Sequence, residues 1–323
     1  MAATSENISD ELTSIDNSGA SQPVKKPVTS VSIKSKSEYS TNFRAIISQN
    51  LKVKSSLENK NSSVLTRLTI NNCELKHINA AIFKLDCLIY LDLSNNKLEL
   101  LDNFHIETLS ELNVAHNEIR HIGKNCKLPK LVNFILNNNN ITKLDHNFCK
   151  NFSNISKLIL NNNKLKYIHH KFGHYFLRLK HFEINTNELD VLPFSFSYFR
   201  FEHLDLLNNS FQYIPLIIKI GEQKKKFPTL VELASRKIVE KRIRYTAKDI
   251  PLTLYDYIDT NFKCVCGMAC FEFQYNSIQM HSLSQLAKSF SCFSLNGHDN
   301  QIPLLANFCS FKCFTRNKKF NRI

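Results

Sequence analysis

The sequence predicts an α/β solenoid, in which short parallel strands stack side by side into one curved sheet. Three observations support this prediction. An apolar template of eleven residues recurs seven times between positions 65 and 211, at spacings of 21 to 24 residues. An asparagine or a cysteine occupies the same place in every copy. Each copy is also too short to bury its own apolar face, so only the neighbouring copies can cover it.

The template is Leu-x-x-Leu-x-Leu-x-x-Asn/Cys-x-Leu, the pattern of a leucine-rich repeat. Its seven copies are LTRLTINNCEL (65–75), LIYLDLSNNKL (88–98), LSELNVAHNEI (109–119), LVNFILNNNNI (131–141), ISKLILNNNKL (155–165), LKHFEINTNEL (179–189) and FEHLDLLNNSF (201–211). Each copy predicts one short strand followed by a return segment, so we expect seven parallel strands on a concave sheet.

Asparagine at the ninth template position is predicted to hold the turns together. A carboxamide both donates and accepts hydrogen bonds, so it can satisfy buried backbone groups of its own turn and of the adjacent turn. The residues at this position are Cys73, Asn96, Asn117, Asn139, Asn163, Asn187 and Asn209. We interpret this ladder, and the asparagine runs beside it, as scaffold.

Alternation along each strand turns two side chains per repeat away from the core. Ile135 and Ile159 form an apolar centre among polar and charged neighbours. An apolar centre with a polar rim suits a protein interface, although a solvated strand face also tolerates this composition. The predicted contact residues are Tyr90, Asp92, Asn113, Ile135, Lys157, Ile159, His181 and Glu183.

A first short helix is predicted after the repeats. Thr229 and Glu232 have the spacing of a capping box, in which each side chain bonds the backbone N–H of the other residue. Leu230, Ala234 and Ile238 recur four residues apart and therefore share one helix face. The segment TLVELASRKI resembles the elongin-C-binding box, which implies that these three residues contact elongin C of the elongin B/C pair.

A second short helix is predicted to start at Pro251, whose missing N–H costs nothing in a first helical turn. The segment IPLTLYDYI resembles the cullin-2 box, and Ile250, Pro251, Leu254 and Ile258 match its four positions. The resemblance implies that these four residues bind cullin-2. The alternative interpretation, without this resemblance, is that the two helices form an amphipathic pair that closes the repeat domain.

Net charge and cysteine content narrow the class of protein. The charge of +14 is spread along the chain, whereas nucleic-acid binding needs a basic stripe or patch, so we predict no specific nucleic-acid partner. We find neither a run of eighteen apolar residues nor a signal peptide, and expect no membrane partner. Ten cysteines without a secretory signal indicate reduced thiols or metal ligands.

Two groups of cysteines near the C-terminus predict a structural zinc site. They lie in CVCGMAC (264–270) and NFCSFKC (307–313), and the second group resembles half of an FCS- or MYM-type zinc finger. An alternative is that these are reduced structural cysteines in a small core. The favoured ligands are Cys264, Cys266, Cys309 and Cys313, with Cys270 or His281 as substitutes.

Composition divides the chain into four regions. Residues 1–60 are predicted to be a mostly disordered tail, in which only 42–57 could cover the first repeat. The repeat array follows over 61–221, the two box helices over 222–260, and a cysteine-rich module over 261–323.

The array, the paired boxes and the cysteine-rich tail, in this order, resemble the leucine-rich repeat substrate receptors of cullin-2 ubiquitin ligases. This resemblance implies a non-catalytic adaptor, nuclear and also cytoplasmic, that binds its substrate on the concave residues. It further implies replication-linked targets such as the replicative helicase. The alternative is a leucine-rich repeat scaffold with no attached ligase, such as a phosphatase regulator or a splicing-type adaptor.

Overall fold

A computed structural model describes residues 28–55, 64–211, 229–246, 248–259, 261–271, 275–292 and 300–320. Within these ranges, nine parallel strands form one sheet. In spatial order they are β1 (Val28–Ile33), β2 (Val64–Ile70), β3 (Tyr90–Asp92), β5 (Glu111–Asn113), β7 (Asn133–Ile135), β9 (Lys157–Ile159), β11 (His181–Glu183), β13 (Phe201–Asp205) and β17 (Ala287–Ser291). The leucine-rich repeat solenoid is confirmed. The sheet contains the seven predicted strands, from β2 to β13 in the spatial order above, and one additional strand at each end, β1 and β17.

The return segments lie on the opposite side of each repeat and contain only short elements. The elements are the 3-10 helices Ala80–Lys84 and Phe194–Tyr198, the helices α2 (His146–Asn151) and α3 (Phe172–Tyr175), and the strands β4 (Leu100–Leu101), β6 (His121–Ile122), β8 (Lys143–Leu144), β10 (Tyr167–Ile168) and β12 (Leu192–Pro193). Four of these strands form two small parallel ladders, β4 with β6 and β8 with β10.

The core lies between the sheet and the return segments. The central residue of each three-residue strand is buried, as Phe134 and Leu158 illustrate, while its two neighbours on the concave face are half-buried, apart from the buried Asp92. Phenylalanine rings fill the last repeats, where Phe172 stacks on Phe196 at 5.3 Å between ring centroids. Each fully buried side chain of this size stabilises the fold by about 1.5–3 kcal/mol.

The asparagine ladder forms as predicted. Asn139 accepts from the Ile119 N–H of the preceding repeat at 3.0 Å and donates to the Val114 and Leu136 carbonyls at 3.0 Å each. The same pattern repeats at Asn163, with its own neighbours. Each asparagine therefore links two consecutive turns.

The residue before each ladder position adopts a left-handed backbone. These residues are Asn72, Asn95, His116, Asn138, Asn162, Thr186 and Asn208, with φ between 52° and 56°. Asparagine tolerates this conformation better than most side chains. The turn therefore favours asparagine at two successive positions, which explains the runs of asparagine.

The N-terminal segment departs from the predicted tail. Residues 28–33 form β1, which pairs in parallel with β2, and α1 (Lys36–Ser55) follows. Ile33, Phe43 and Ile47 are buried against the first repeat. This segment folds because the first repeat otherwise has no neighbour over its apolar face. The remainder of the predicted tail, 1–27 and 56–60, lies outside the described residues.

The helices α4 (Leu230–Glu240) and α5 (Leu252–Asp259) follow the array; residues 212–228, the end of the predicted array and the start of the box region, lie outside the described residues. The later elements are β14 (Phe262–Lys263), β15 (Ala269–Cys270), β16 (Tyr275–Ser282), the 3-10 helix Leu283–Gln285, β18 (Gln301–Phe308) and α6 (Phe311–Phe320). None of the described helices is long and apolar enough to cross a bilayer.

The cysteine-rich region is continuous with the array. Its strand β17 pairs with β13, and β18 lies between β12 and β16. Leu283, Leu286 and Ile302 are buried in the same core as the repeats. The predicted separate module therefore also supplies the C-terminal cover of the solenoid.

Candidate functional site

The concave face carries all eight predicted contact residues at the strand positions that flank a buried residue. The register places Ile135 directly opposite Ile159 on neighbouring strands. Asn113 flanks Ile135 on one side, and Glu183 flanks Ile159 on the other. The apolar centre with polar neighbours is thus present in the structure, and its role in binding a substrate stays a prediction.

Several polar groups of this face are already bonded to one another. The Arg67 guanidinium lies 4.0 Å from the centroid of the Tyr90 ring, and the Tyr90 hydroxyl donates to Asp92 Oδ2 at 3.3 Å. Burial, followed by the Asp92 charge, raises the pKa of Tyr90. Asp92 is itself buried and accepts from the Ser94 N–H at 2.9 Å. This end of the face is therefore held rigid before any partner binds.

Two exposed aliphatic residues just before the sheet strands were missed by the alternation argument. Ile89 and Val132 occupy the second template position, just before β3 and β7, and both side chains are exposed. A large aliphatic residue at a template position that does not enter the core is the sequence feature that could have identified them.

Helix α4 begins with half of the predicted capping box. Thr229 Oγ1 accepts from the Glu232 N–H at 3.1 Å. The reciprocal bond does not form, because the Glu232 carboxylate pairs instead with Arg236, 2.5 Å from its Nη2. The Glu232 side chain forms this ion pair on the inner side of the helix, and only 2% of the residue's surface is exposed.

The orientation of α4 is opposite to that of an ordinary surface helix. Polar Ser235 is 0% exposed, whereas Leu230 is 82% exposed. Ala234 is also exposed and Ile238 is half-buried, so the predicted elongin-C face points outward. A helix of a globular protein normally buries its apolar stripe, and an exposed apolar patch marks a contact surface for a partner. Its other exposed apolar residues, missed in the sequence, are Val231 and Leu233.

Helix α5 exposes only part of the predicted cullin-2 set. Pro251 is exposed directly before the helix, and its carbonyl accepts from the Leu254 N–H at 2.9 Å. Ile250 and Leu254 are half-buried. Ile258 is 1% exposed, so its predicted contact with a partner is corrected: the side chain packs inside this protein. Leu252, which the motif does not include, is exposed instead.

Asp259 joins the end of α5 to the return face of the array. Its Oδ2 lies 2.9 Å from His146 Nε2 and 3.2 Å from Lys150 Nζ. Lys171 Nζ donates to the Asp259 backbone carbonyl. The hydrogen bond from His146 holds the pKa of the Asp259 carboxyl well below its usual range. The helix is thus fixed to the repeats through its C-terminal residue.

Buried histidines continue this contact. Burial lowers the pKa of His169 to about 3 and that of His170 to about 4. His170 Nε2 lies 3.0 Å from the Asn261 carbonyl oxygen, and its ring stacks on Phe262 at 4.1 Å. Both imidazoles are therefore neutral at pH 7, as packing at this interface requires.

Four cysteines form a compact cluster beside α4. The Sγ atoms of Cys264, Cys266, Cys309 and Cys313 all lie within 4.8 Å of one another. The predicted ligand set is thus brought together, and the cluster could hold a metal ion. Among the described residues it is the only group of this kind.

The backbone builds this cluster from a turn and a helix start. Gly267, with φ of +88°, closes the turn that carries Cys264 and Cys266, and its N–H donates to the Cys264 carbonyl at 2.8 Å. Cys309 follows β18, and Cys313 lies in the first turn of α6. Cys264 Sγ accepts from the Cys309 N–H at 3.2 Å. Such N–H donors favour the thiolate form that a metal requires.

The two substitutes lie outside the cluster. Cys270 is buried, and its sulfur contacts the Met268 carbonyl at 3.8 Å. His281 packs edge-on against the Phe194 ring at 5.7 Å. The pKa of Cys264 is nevertheless raised, mainly by its hydrogen bond to Cys270. Cys270 therefore neighbours the ligand set without joining it.

The parallel sheet, the asparagine ladder and the return segments define this chain as a leucine-rich repeat protein, a class that serves as a scaffold for protein interaction. The chain is similar to Leucine-rich repeat protein 1 of Homo sapiens, with 29% identity over 126 residues, 39% of this chain and 30% of that protein. Leucine-rich repeat protein 1 of Mus musculus is 30% identical over 130 residues, 39% of this chain and 29% of that protein. The alignment thus spans less than a third of either relative.

Among solved structures, the TLR13–ssRNA13 complex matches 46% of this chain and 22% of that chain, with 26% identity and a TM-score of 0.43. A leucine-rich repeat protein of Leptospira interrogans matches 45% of this chain and 49% of that chain, with 22% identity and a TM-score of 0.33. No protein-family model matches the chain.

Proposed function

We propose that this chain is the substrate-recognition subunit of a cullin-2 ubiquitin ligase that also contains elongin B and elongin C. The observation that carries the proposal is the orientation of α4, which exposes Leu230 while it buries Glu232 and Ser235. Exposing a leucine to water and burying a carboxylate both cost free energy. A partner that covers the apolar side of α4 offsets the first of these costs.

In this proposal, Leu230, Ala234 and Ile238 contact elongin C. Pro251, Ile250 and Leu254 face cullin-2, and the exposed Leu252 joins them. Ile258 acts only by holding α5 in place, because it is buried.

The concave face would capture the target protein around Ile135 and Ile159. Ubiquitin transfer is then accelerated by proximity alone, since capture raises the concentration of target lysines near the charged conjugating enzyme. A non-catalytic adaptor of this kind supplies no acid, base or nucleophile of its own. The family resemblance suggests replication-linked targets, such as the replicative helicase, and a nuclear as well as cytoplasmic location.

The cysteine cluster would hold a structural Zn²⁺. Tetrahedral coordination with Zn–S bonds of about 2.3 Å places sulfur atoms roughly 3.8 Å apart. Cys309 Sγ lies 3.7 Å from Cys266 Sγ and 3.4 Å from Cys313 Sγ. Four thiolates leave no open coordination position, so the metal would link β14, β15, β18 and α6 without taking part in chemistry.

A pull-down with purified elongin B/C tests the proposal. Truncating a buried anchor commonly costs about 2–4 kcal/mol, so we expect Leu230→Ala to weaken elongin binding at least tenfold, at about 1.4 kcal/mol per decade. Leu177→Ala is the matched control, because Leu177 is equally exposed, at 80%, but lies on the repeats. A wild-type chain that captures no elongin would favour the alternative of a scaffold without a ligase.

The variant Pro251→Ala distinguishes cullin-2 binding from elongin binding. We expect this variant to keep elongin binding and to lose cullin-2 selectively, because Pro251 is exposed and precedes α5. Equal loss of both partners would mean that the substitution unfolds the helix pair, and the cullin-2 assignment would then fail.

A further inference from the structure

Two arginines occupy equivalent places in adjacent repeats. Arg178 and Arg200 each stand immediately before the first apolar residue of their template copy. The strands that follow them, β11 and β13, are neighbours in register. Both side chains are exposed, and both line one cavity of about 260 Å³ at the edge of the last repeats.

The same cavity carries an unusual amount of exposed apolar surface. Leu177 is 80% exposed and Tyr198 is 49% exposed, and each lies within two residues of one of the arginines. Gly173 lies at its inner side, where an added Cβ would come within 2.0 Å of the Ser195 carbonyl oxygen. The recess therefore combines two guanidinium groups with an apolar wall.

The positive charge of this recess is not neutralised by the protein. The carboxylate of Glu202, in the repeat that follows Arg200, is paired with Lys180 Nζ at 2.9 Å and with His181 Nε2 at 3.1 Å. In the described part of the chain, neither arginine forms an ion pair. Like charges on adjacent strands repel each other, so an anion between these two would relieve the repulsion.

Arg200 is also held in place before any ligand binds. Its Nη1 donates to the Ser197 carbonyl at 3.3 Å and to the Phe199 carbonyl at 2.7 Å. The remaining donors, Nη2 and Nε, stay available. A planar guanidinium with two free donors matches the geometry of a phosphoryl group.

We propose that this recess binds a phosphorylated serine or threonine of a peptide, with the phosphoryl group between Arg178 and Arg200. An apolar side chain next to the phosphorylated residue would pack on Leu177 and Tyr198. The compact recess favours a peptide over a nucleic acid, whose phosphates need a longer basic track. The lining residues belong to the repeats and not to α4 or α5, so the proposed binding does not depend on the ligase association.

Fluorescence anisotropy with a labelled peptide pool tests this site. The pool carries phosphothreonine followed by leucine, with the flanking positions randomised among uncharged residues; the comparison pool carries plain threonine. We expect the phosphorylated pool to bind at least tenfold more tightly, and Arg178→Gln and Arg200→Gln each to remove this preference. Lys130→Gln is the matched control, because Lys130 is an exposed cation at the same template position of another repeat.

Equal binding of the two pools by the folded wild type would overturn the proposal. So would tighter binding of a twelve-residue oligothymidylate that Arg178→Gln abolishes, because the recess would then be a nucleic-acid site. Arg178→Gln removes no hydrogen bond recorded within the described residues, so it carries the test if Arg200→Gln fails to fold. Elongin capture by Arg178→Gln should equal that of the wild type, which separates this site from the ligase proposal.

Discussion

At the scale of single residues, asparagine serves two different physical needs at neighbouring positions of each turn. One residue, such as Asn163, bonds buried backbone groups of two repeats. The residue before it, Asn162, takes φ of 54°. In a later repeat, Thr186 stands before the ladder asparagine and also has a left-handed backbone, although a β-branched side chain tolerates this conformation poorly.

Thr186→Asn should therefore stabilise the protein by about 1 kcal/mol, since non-glycine residues in this backbone region store about 1–3 kcal/mol of strain and asparagine stores less of it than a β-branched residue. The contact that is lost is weak, because Asn208 Nδ2 lies 3.4 Å from Thr186 Oγ1. Urea unfolding measures the change. Thr142→Asn, at an exposed return-segment position, should leave the free energy of unfolding within about 0.5 kcal/mol. Destabilisation by Thr186→Asn would contradict the strain argument.

At the scale of secondary-structure elements, the direction in which a strand or helix faces decides what it can do. The strands β7 and β9 bury Phe134 and Leu158 and turn Ile135 and Ile159 outward, as their alternation predicts. The helix α4 has an equally clear apolar face, yet that face points to solvent. Its sequence pattern is the same as that of a helix packed on a core.

Ile159→Glu tests the concave centre. The outward position should keep the loss of stability small, because surface changes usually fall within about 0.5 kcal/mol. Capture of protein partners should nevertheless drop at least tenfold, since a charge would be buried unpaired inside an interface. Quantitative mass spectrometry of co-purified proteins measures this. Tyr167→Glu, exposed on the return side, is the control, and an unchanged partner list for Ile159→Glu would exclude the concave centre.

The turn and helix that carry the four cysteines give a second prediction at this scale. Protein purified without chelator should contain about one zinc per chain, because structural zinc and folding are coupled. Cys309→Ser should lose the metal and lower the unfolding midpoint. Cys270→Ser and the exposed Cys87→Ser should both retain zinc. Metal-free wild-type protein, measured by atomic emission, would rule out the site.

At the scale of the whole molecule, segments that precede and follow the repeats pack onto the two ends of the array. The strand β1 covers the first repeat and β17 covers the last, while Asp259 ties α5 to the return face between them. Exposed sheet edges invite unwanted pairing, and here the repeats proper have none. Helix α5 is thus held by the same body that presents the concave face.

The pH dependence of stability tests how this body is held together. Burial lowers the pKa of His169 from 6.5 to about 3. Below pH 6.5 the unfolded chain binds a proton that the folded chain does not, so the contribution is complete above pH 6.5 and is lost as pH falls toward 3. The pKa of Asp259 is also lowered. The stability that this carboxylate contributes is therefore lost only as the pH falls below 3.8, its ordinary pKa.

We therefore expect the free energy of unfolding to fall between pH 6 and pH 4. His169→Asn should reduce this slope by about 1 kcal/mol per pH unit, close to the 1.4 kcal/mol that one proton gives. Asparagine can still accept from the Lys171 N–H, as His169 Nδ1 does at 3.2 Å. His105→Asn, at an exposed position, is the control for the loss of a histidine as such. Equal slopes for His169→Asn and wild type would contradict this account.

The sequence by itself determined every feature that repeats. Seven strands, the ladder asparagines and the outward pair Ile135 and Ile159 follow from a local period that each repeat enforces on the next. Spacing also predicted the two separate cysteine groups, because turns and helix starts are local structures. Bringing the two groups together, 43 residues apart at Cys266 and Cys309, required the fold.

Only the tertiary structure decided the features that do not repeat along the sequence. The strands β1 and β17, the burial of Ile258 and the outward orientation of α4 depend on which distant surface each segment meets. The recess at Arg178 and Arg200 likewise required two return segments to be stacked in register. An apolar stripe in a sequence specifies that something will cover it. Whether the cover is the protein's own core or a partner is decided by the packing of the whole chain.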